Sequence, residues 1–346
     1  MTPDQMPVLN KKTRLLVIAP HCDDETLGSF GLIDTVLKRG GQVQVAVLTN
    51  GDASHSAVKY FQKIRLHPPD YIRFGEIRCN ESRKVLKAMN VSPANSFFLT
   101  YPDKGLSFLW SKNWNANHPY TSNYTGANYS PYPDSYHPKT TYAGANLSQD
   151  LREIINRFRP SIIVYPHPDE RHPDHWVAYA FVKYVLEGWY NQKPRELLYL
   201  VHYNQWPQPL GLSPAATLEP PAELTDTAWV KPTLSPGKID QKRRLITTYN
   251  SQMTYLPQFM LSFARKNELY GNCKPTKLLF PETGLALYEP SPAPNQPIPP
   301  GRISSLNLTY IQNQLTFRLQ IKGGLEPNLF YYLDLTLFQK KNPPLR

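Results

Sequence analysis

The sequence predicts an α/β protein, a Rossmann-like, mostly parallel sheet with helices on both faces, followed by a small C-terminal β segment. Three observations predict it. Short, continuous apolar runs alternate with segments of helical spacing over the first two hundred residues. Two turns rich in histidine and aspartate directly follow two of those runs, and sheets of this kind bind ligands beyond their strand carboxyl ends. A Pro-rich stretch, PSPAPNQPIPP at 290–300, precedes a region of strand-like alternation.

The elements follow in chain order. RLLVIA (14–19) reads as a buried strand, and DETLGSFGLIDTVLK (24–38) as a helix whose opening acids suit the positive helix end. QVQVAVLTN (42–50) is a second strand, EIRCNESRKVLKAM (76–89) a helix and SFFLT (96–100) a third strand. Residues 147–158 suit a helix, SIIVY (161–165) a fourth strand, 175–190 an apolar helix and ELLYLVH (196–202) a fifth strand. Two segments break the rhythm. Residues 101–146 are rich in Tyr, Trp, Asn and Pro with weak periodicity, and a connection that long in a compact domain is usually a functional loop. Its rings, Trp110 and Trp114 foremost, are candidates for stacking on sugar C–H faces, or else for a local core. The second break is the Pro-rich linker. The organisation read from this is a main domain over 1–289 with an insert at 101–146, a linker at 290–302, and a β-rich tail over 303–346 that would be a packed appendage or part of a β-sandwich. In the tail, 303–321 and 329–338 alternate like strands.

Bulk properties narrow the partners. With 40% hydrophobic and 19% charged residues, the chain of 346 residues can build a sizeable core. Its net charge of +11 is spread along the chain without a nucleic-acid reader motif, so no nucleic-acid partner is expected. No apolar run approaches the roughly 18 residues of a transmembrane helix. Cys22, Cys79 and Cys273 are far apart and form no C-x-x-C pair, which favours a reducing compartment. The opening MTPDQMPVLNKK lacks the apolar core of a signal peptide, so a cytoplasmic location is expected. Oligomeric state is not legible.

The chemistry sits in the two turns. His21-Cys22-Asp23-Asp24-Glu25 follows the first strand, and His172-Pro173-Asp174-His175 lies between the fourth strand and the next helix. Adjacent crossovers of one sheet would bring them together. Imidazole nitrogen with carboxylate oxygen is an ordinary zinc ligand set, and a catalytic zinc site keeps a position open for water. Consecutive Asp23 and Asp24 point apart, so one can bind the metal while the other reaches the water. His172 and His175 can face one cavity, one as ligand and the other as proton donor or oxyanion stabiliser. Zinc lowers the pKa of bound water to about 7, a carboxylate takes the proton, and the hydroxide attacks an amide carbonyl. Either turn alone reads as surface punctuation; the pair points to a metal hydrolase.

With these residues in view, the sequence resembles the PIG-L/LmbE-like family of zinc-dependent N-acetylglucosaminyl deacetylases. The resemblance is carried by VIAPHCDDETLGSFG (17–31), LTNGD (48–52), Arg78-x-x-Glu81, YPDKG (101–105) and HPDH (172–175), with weaker support from YLVHYNQWP (199–207) and YNSQ (249–252). It spans roughly 14–270. It implies His21, Asp24 and His175 as zinc ligands, Asp23 as general base, and His172 as stabiliser of the tetrahedral intermediate or proton donor to the leaving amine. Arg78 and Asp103 fall where the family has substrate-pocket residues, a structural ion pair or turn cap being the other reading of both. The implied substrate is an amino sugar or glycoconjugate, and the implied reaction is removal of an N-acyl, first of all N-acetyl, group. Position 22 is Cys where the family commonly has Pro. Glu170 stands where some relatives have a Tyr that polarises the carbonyl. His167 and His202 are rim candidates that read more readily as structural histidines.

Three rival readings stand beside this one. A nucleotide-binding enzyme would want G-x-G-x-x-G after the first strand, where HCDDE stands instead, and clustered carboxylates repel a pyrophosphate. A noncatalytic carbohydrate-binding protein leaves the paired turns without purpose. An amidase of this fold acting on a non-sugar amide uses the same site.

Overall fold

The computed structural model describes residues 5–62, 66–189, 193–225, 227–272, 285–288, 303–311 and 314–323. The described chain divides into two units, the first running to residue 273 and the second over 274–337.

The first unit is built on β1 (Arg14–Ala19), β2 (Gln42–Thr49), β3 (Ser96–Tyr101), β4 (Ile162–Pro166), β5 (Arg195–Tyr199), β6 (Ala228–Val230) and β7 (Tyr270–Asn272). They form one sheet in the order β3-β2-β1-β4-β5-β7-β6. The pairings from β3 to β5 are parallel, and β7 joins β5 and β6 antiparallel. The expected mostly parallel sheet is present. Val17 pairs with Val45 on one side and Val164 on the other, so β1 is an interior strand, the middle one of the five parallel strands. The chain leaves β1 towards β2 in one direction and later returns beside β1 as β4. This reversal of strand order opens a crevice at the carboxyl ends of β1 and β4.

Side-chain alternation in the strands sends each face to a different set of helices. Leu15, Val17, Val43, Val45 and Val47 pack with α1 (Asp24–Lys38) and α3 (Pro68–Ala88). Leu16, Ile18, Ala46, Leu48 and Ile163 pack with α5 (Gly144–Phe158) and α6 (Pro173–Trp189). Burying each Val, Leu or Ile among these side chains contributes about 1.5–3 kcal/mol. Helix α1 begins at Asp24, directly after the first functional turn, with Asp24 and Glu25 in its first turn and Lys38 in its last. Helix α3 starts earlier than its spacing suggests, because His67, Pro68 and Asp70 form a capping box ahead of the amphipathic stretch.

The sequence pattern left several short elements unassigned. They are α2 (His55–Gln62), α4 (Leu106–Ser111) inside the insert, α7 (Pro236–Ile246), α8 (Asn250–Met253) and α9 (Pro257–Leu261). Apart from α7, each is too short to show a helical period. In the second unit, β8 (Leu285–Tyr288) and β10 (Gln314–Ile321) both pair antiparallel with β9 (Ile303–Ile311). The run 303–321 is thus a hairpin. The linker 290–302 and the expected strand 329–338 lie outside the described residues. Among the described residues, no helix is long and apolar enough to cross a membrane.

Candidate metal centre

The two turns meet in the crevice between β1 and β4. His21 Nδ1 lies 3.2 Å from His175 Nε2. Asp24 Oδ2 lies 3.3 Å from the first nitrogen and 3.1 Å from the second. These three atoms, one from the end of β1, one from the first turn of α1 and one from the first turn of α6, form a nearly equilateral triangle. An ion holding tetrahedral ligands at about 2.0–2.1 Å needs ligand–ligand edges of roughly 3.3–3.4 Å. The donor set and its spacing therefore fit zinc. A second observation agrees: Asp24 Oδ1 is buried without a hydrogen-bond partner, an arrangement that is costly unless a cation or proton compensates it. His172 joins His21 and His175 in one group of potential ligand atoms, and His202 joins Asp24 and His175 in another.

Carboxylates surround this triangle. Asp103 Oδ1 lies 3.3 Å and Asp174 Oδ2 3.5 Å from His21 Nε2, and Glu170 Oε1 lies 3.4 Å from His175 Nδ1. Burial alone would strip the protons from both imidazoles. Asp103, Asp174 and Asp24 instead raise His21 well above its ordinary value, and Asp24 and Glu170 raise His175 to about 9. The cluster demands positive charge, and a divalent cation in place of those protons would meet that demand. Metal-binding histidines usually have their second nitrogen turned to such a carboxylate.

Asp23 has a different environment from its neighbour. Its backbone sits at φ 143°, ψ −29°, a region in which a non-Gly residue costs of order 1–3 kcal/mol. Its Oδ2 accepts from Arg78 Nη2 at 3.0 Å, and Arg78 also donates to the carbonyls of Cys22 at 3.1 Å and Gly51 at 2.8 Å. Gly51 is required there: at φ +66° a Cβ would lie 1.9 Å from Arg78 Nη1. Burial pushes the Asp23 carboxyl up to about 7, with Arg78 pulling the other way. Arg78 is itself buried. Its position is that of an ion-pair partner to Asp23.

Asp103 is buried between the insert and the site. Its Oδ2 accepts from Ala53 N at 2.7 Å while its other oxygen faces His21. Asp174, inside the second motif, accepts from the backbone N–H of Lys104 at 2.6 Å and Leu106 at 3.2 Å, fastening the start of the insert to α6. His172 Nδ1 accepts from Asp174 N at 3.2 Å, which leaves the proton of a neutral ring on Nε2. Burial, reinforced by the charges of His21 and His175, keeps His172 neutral.

Trp110 and Trp114 are not brought to this cluster. Trp110 meets Phe181 edge-on at 4.9 Å, and Trp114 stacks on Phe181 at 6.0 Å and meets Tyr184 at 5.2 Å. Both rings pack on α6 as part of the apolar layer beneath the sheet. The expected sugar platform gives way to local core at these two positions. Tyr132 and Tyr142 of the insert are likewise buried. The part of the insert that reaches the site is its first turn, at Asp103 and Lys104. Cys22 packs with Cys79 in the core of the opposite face, and the potential metal groups among the described residues contain no cysteine.

Three further residues belong to its surroundings: Glu170, His202, which was a rim candidate in the sequence, and Glu25 of the first turn, none of which had an assigned role. Glu170 accepts from the backbone N–H of Val201 and of His202, each at 2.6 Å, while facing His175. His202 packs against both His172 and His175, with ring centroids at 5.3 and 4.7 Å. Glu25 accepts from the backbone N–H of Asp23 at 2.9 Å. Glu25 and His202 stand in or beside the quoted motifs, which was the available signal. For Glu170 the only hint was its departure from the family pattern.

Comparison with known proteins accords with this arrangement. Residues 16–186 match the model of the family described as PIG-L, GlcNAc-PI de-N-acetylase. This segment, just under half of the chain, holds both turns. It is 31% identical over 174 residues to 1D-myo-inositol 2-acetamido-2-deoxy-alpha-D-glucopyranoside deacetylase 1 of Saccharopolyspora erythraea. That alignment covers 46% of this chain and 51% of the relative, so the chain spans about half the length of the curated relative it matches. Among solved structures, N,N'-diacetylchitobiose deacetylase from Pyrococcus horikoshii is similar at 16% identity, covering 75% of this chain and 82% of that one, with a TM-score of 0.45. The 4-carboxy-2-hydroxymuconate hydratase GalB of Pseudomonas putida KT2440 is similar at 13% identity, covering 77% and 99%, with a TM-score of 0.46. At these values the structural likenesses carry no weight for the reaction.

Proposed function

We propose that this protein is a zinc-dependent N-deacetylase acting on an amino sugar or glycoconjugate. The observation that carries the reading is the triangle of His21 Nδ1, Asp24 Oδ2 and His175 Nε2, beside a second carboxylate, Asp23, that is not part of it. His21, Asp24 and His175 would hold the zinc. Zinc in such a site supplies an acidified water and polarises the amide carbonyl.

The chain's own residues do the rest. Asp23 keeps one oxygen on Arg78 and offers the other to the attacking water, whose proton it takes. Its carboxyl, near 7, is matched to proton transfer at neutral pH. His172, neutral with its proton on Nε2, donates to the carbonyl oxygen as negative charge develops there. The proton on Asp23 then passes to the leaving amine. Asp103 and Glu170 orient the His21 and His175 rings.

The amino-sugar reading is supported by the family and by the relative's name, which specifies a 2-acetamido-2-deoxy-glucopyranoside. Elemental analysis of the purified protein, with deacetylation assays on N-acetylglucosamine and its glycosides before and after chelation, tests the proposal. The expected result is one zinc per chain and amine release that chelation abolishes and zinc restores. Metal-free protein that zinc or cobalt does not activate on any of these substrates would overturn it.

A further inference from the structure

The strained conformation of Asp23 is held from its backbone side by a buried hydrogen-bond relay outside the metal centre. Glu25 Oε2 accepts the Asp23 amide at 2.9 Å. The other oxygen of Glu25 accepts from Ser82 of α3 at 2.6 Å and from Tyr249 at 2.8 Å. The Tyr249 hydroxyl in turn lies 2.7 Å from Thr26 Oγ1. Two residues on, Ser251 fastens the same turn to α3, donating to Glu81 through its amide at 3.0 Å and its hydroxyl at 2.6 Å. Glu25, Ser82, Tyr249 and Ser251 are fully buried. Tyr249 and Ser251 lie beyond residue 186, where the family match ends.

Two features make this more than packing. A buried carboxylate is retained with three donors, where an apolar side chain would fill the space without desolvation cost. One of those donors is the amide of the residue at φ 143°. With Arg78 on the side chain and on the Cys22 carbonyl, the relay fixes Asp23 from two directions.

We propose that Glu25, oriented by Tyr249 and Ser82, is a positioning residue that sets the direction of the Asp23 carboxylate. The segment around 249–251 is then a working part of the catalytic unit. The inference rests on the reading of Asp23 as the base.

The test uses the full-length zinc-loaded protein with Tyr249→Phe, which removes one hydroxyl, and Glu25→Gln, which weakens the acceptor. The readouts are kcat and KM, bound zinc, thermal midpoint and hydrogen exchange at the Asp23 amide. In Tyr249→Phe, kcat should fall about 10-fold to 100-fold, the range a small misplacement of a catalytic group produces. KM should stay within about twofold, zinc at one per chain, and the Asp23 amide should exchange faster. Glu25→Gln should show the same pattern more strongly. If that variant does not fold, Tyr249→Phe decides alone. Wild-type kcat and exchange in Tyr249→Phe, or parallel losses of zinc, thermal midpoint and kcat, would overturn the proposal. The exchange measurement needs no substrate. Should the wild-type protein show no deacetylation, faster Asp23 exchange in the variants would still support the relay, and unchanged exchange would reject it.

Discussion

His21 Nδ1 and His175 Nε2 stand 3.2 Å apart, although 154 residues separate them in the chain. Two imidazole nitrogens at that distance, with the Asp24 carboxylate against both, need a proton or a cation between them. Replacing either histidine by Ala should therefore reduce zinc affinity by far more than removal of a neighbour such as His202. The expected outcome is substoichiometric zinc in His21→Ala and His175→Ala after dialysis, and one zinc in His202→Ala, by elemental analysis. Full zinc occupancy in His175→Ala would place the metal elsewhere.

Asp23 and Asp24 are adjacent in sequence but divided in role by their partners. Asp24 faces the imidazoles, and Asp23 faces Arg78. Asp23→Asn should keep the zinc and lower kcat about 10²–10⁴-fold, since only proton abstraction is removed. Unchanged kcat with bound zinc rejects the assignment.

Arg78 is tied to Asp23 and to two backbone carbonyls, all buried. Arg78→Met should destabilise the fold by about 3–5 kcal/mol, the range for removing one partner of a buried pair, read as a lower urea midpoint. The guanidinium holds the Asp23 carboxyl down against burial. Its loss raises that group above about 7, so the acidic limb of kcat/KM should move to higher pH. An unmoved limb would mean that Asp23 does not govern it.

His167 is buried and stacked on Trp229 at 5.0 Å. Burial lowers its pKa to about 3, well under the roughly 6.5 of an unfolded chain. The sign follows: below pH 6.5 the unfolded chain binds a proton that the folded protein refuses. Stability is full above that pH and falls as pH drops towards 3. Between pH 6.5 and 5 the loss should be about 1.6 kcal/mol. His167→Phe should flatten that slope in urea titrations at the two pH values; an unchanged slope would show that His167 does not cause it.

The centre of the fold was legible because its signals are local. Apolar runs mark β1, β2, β3, β4 and β5; the first functional turn follows the end of β1, and the second opens α6. What surrounds the turns was less legible because its contacts are remote. Tyr249 reaches Glu25 across 224 residues, and nothing in YNSQ tells which acid its hydroxyl meets. Arg78 was readable as a pocket residue or as an ion pair, and its pair with Asp23 depends on the approach of α3 to the first turn, which no local pattern reveals. Glu170 drew notice for not being Tyr, yet its two backbone donors at 201 and 202 come from a loop whose path no periodicity reveals.

Composition also misdirects at the insert, which leads to the last prediction. Trp and Tyr at high density suit a sugar groove and a local core equally, since each ring carries a large apolar face. Trp110 and Trp114 lie on Phe181 and Tyr184 of α6. Gly144, which opens α5, has its space bounded by Trp114: a Cβ there would lie 2.6 Å from the ring. The two indoles thus join the insert to two helices of the main body. Fully buried Trp→Ala substitutions cost about 3–5 kcal/mol, and these rings are only partly buried. Trp110→Ala and Trp114→Ala should each cost about 2–3 kcal/mol of stability, with KM and kcat at 20 °C close to wild type and one zinc per chain. The two losses should not add, because the rings touch each other at 5.8 Å and share Phe181. A raised KM with an unchanged urea midpoint would return these rings to the substrate.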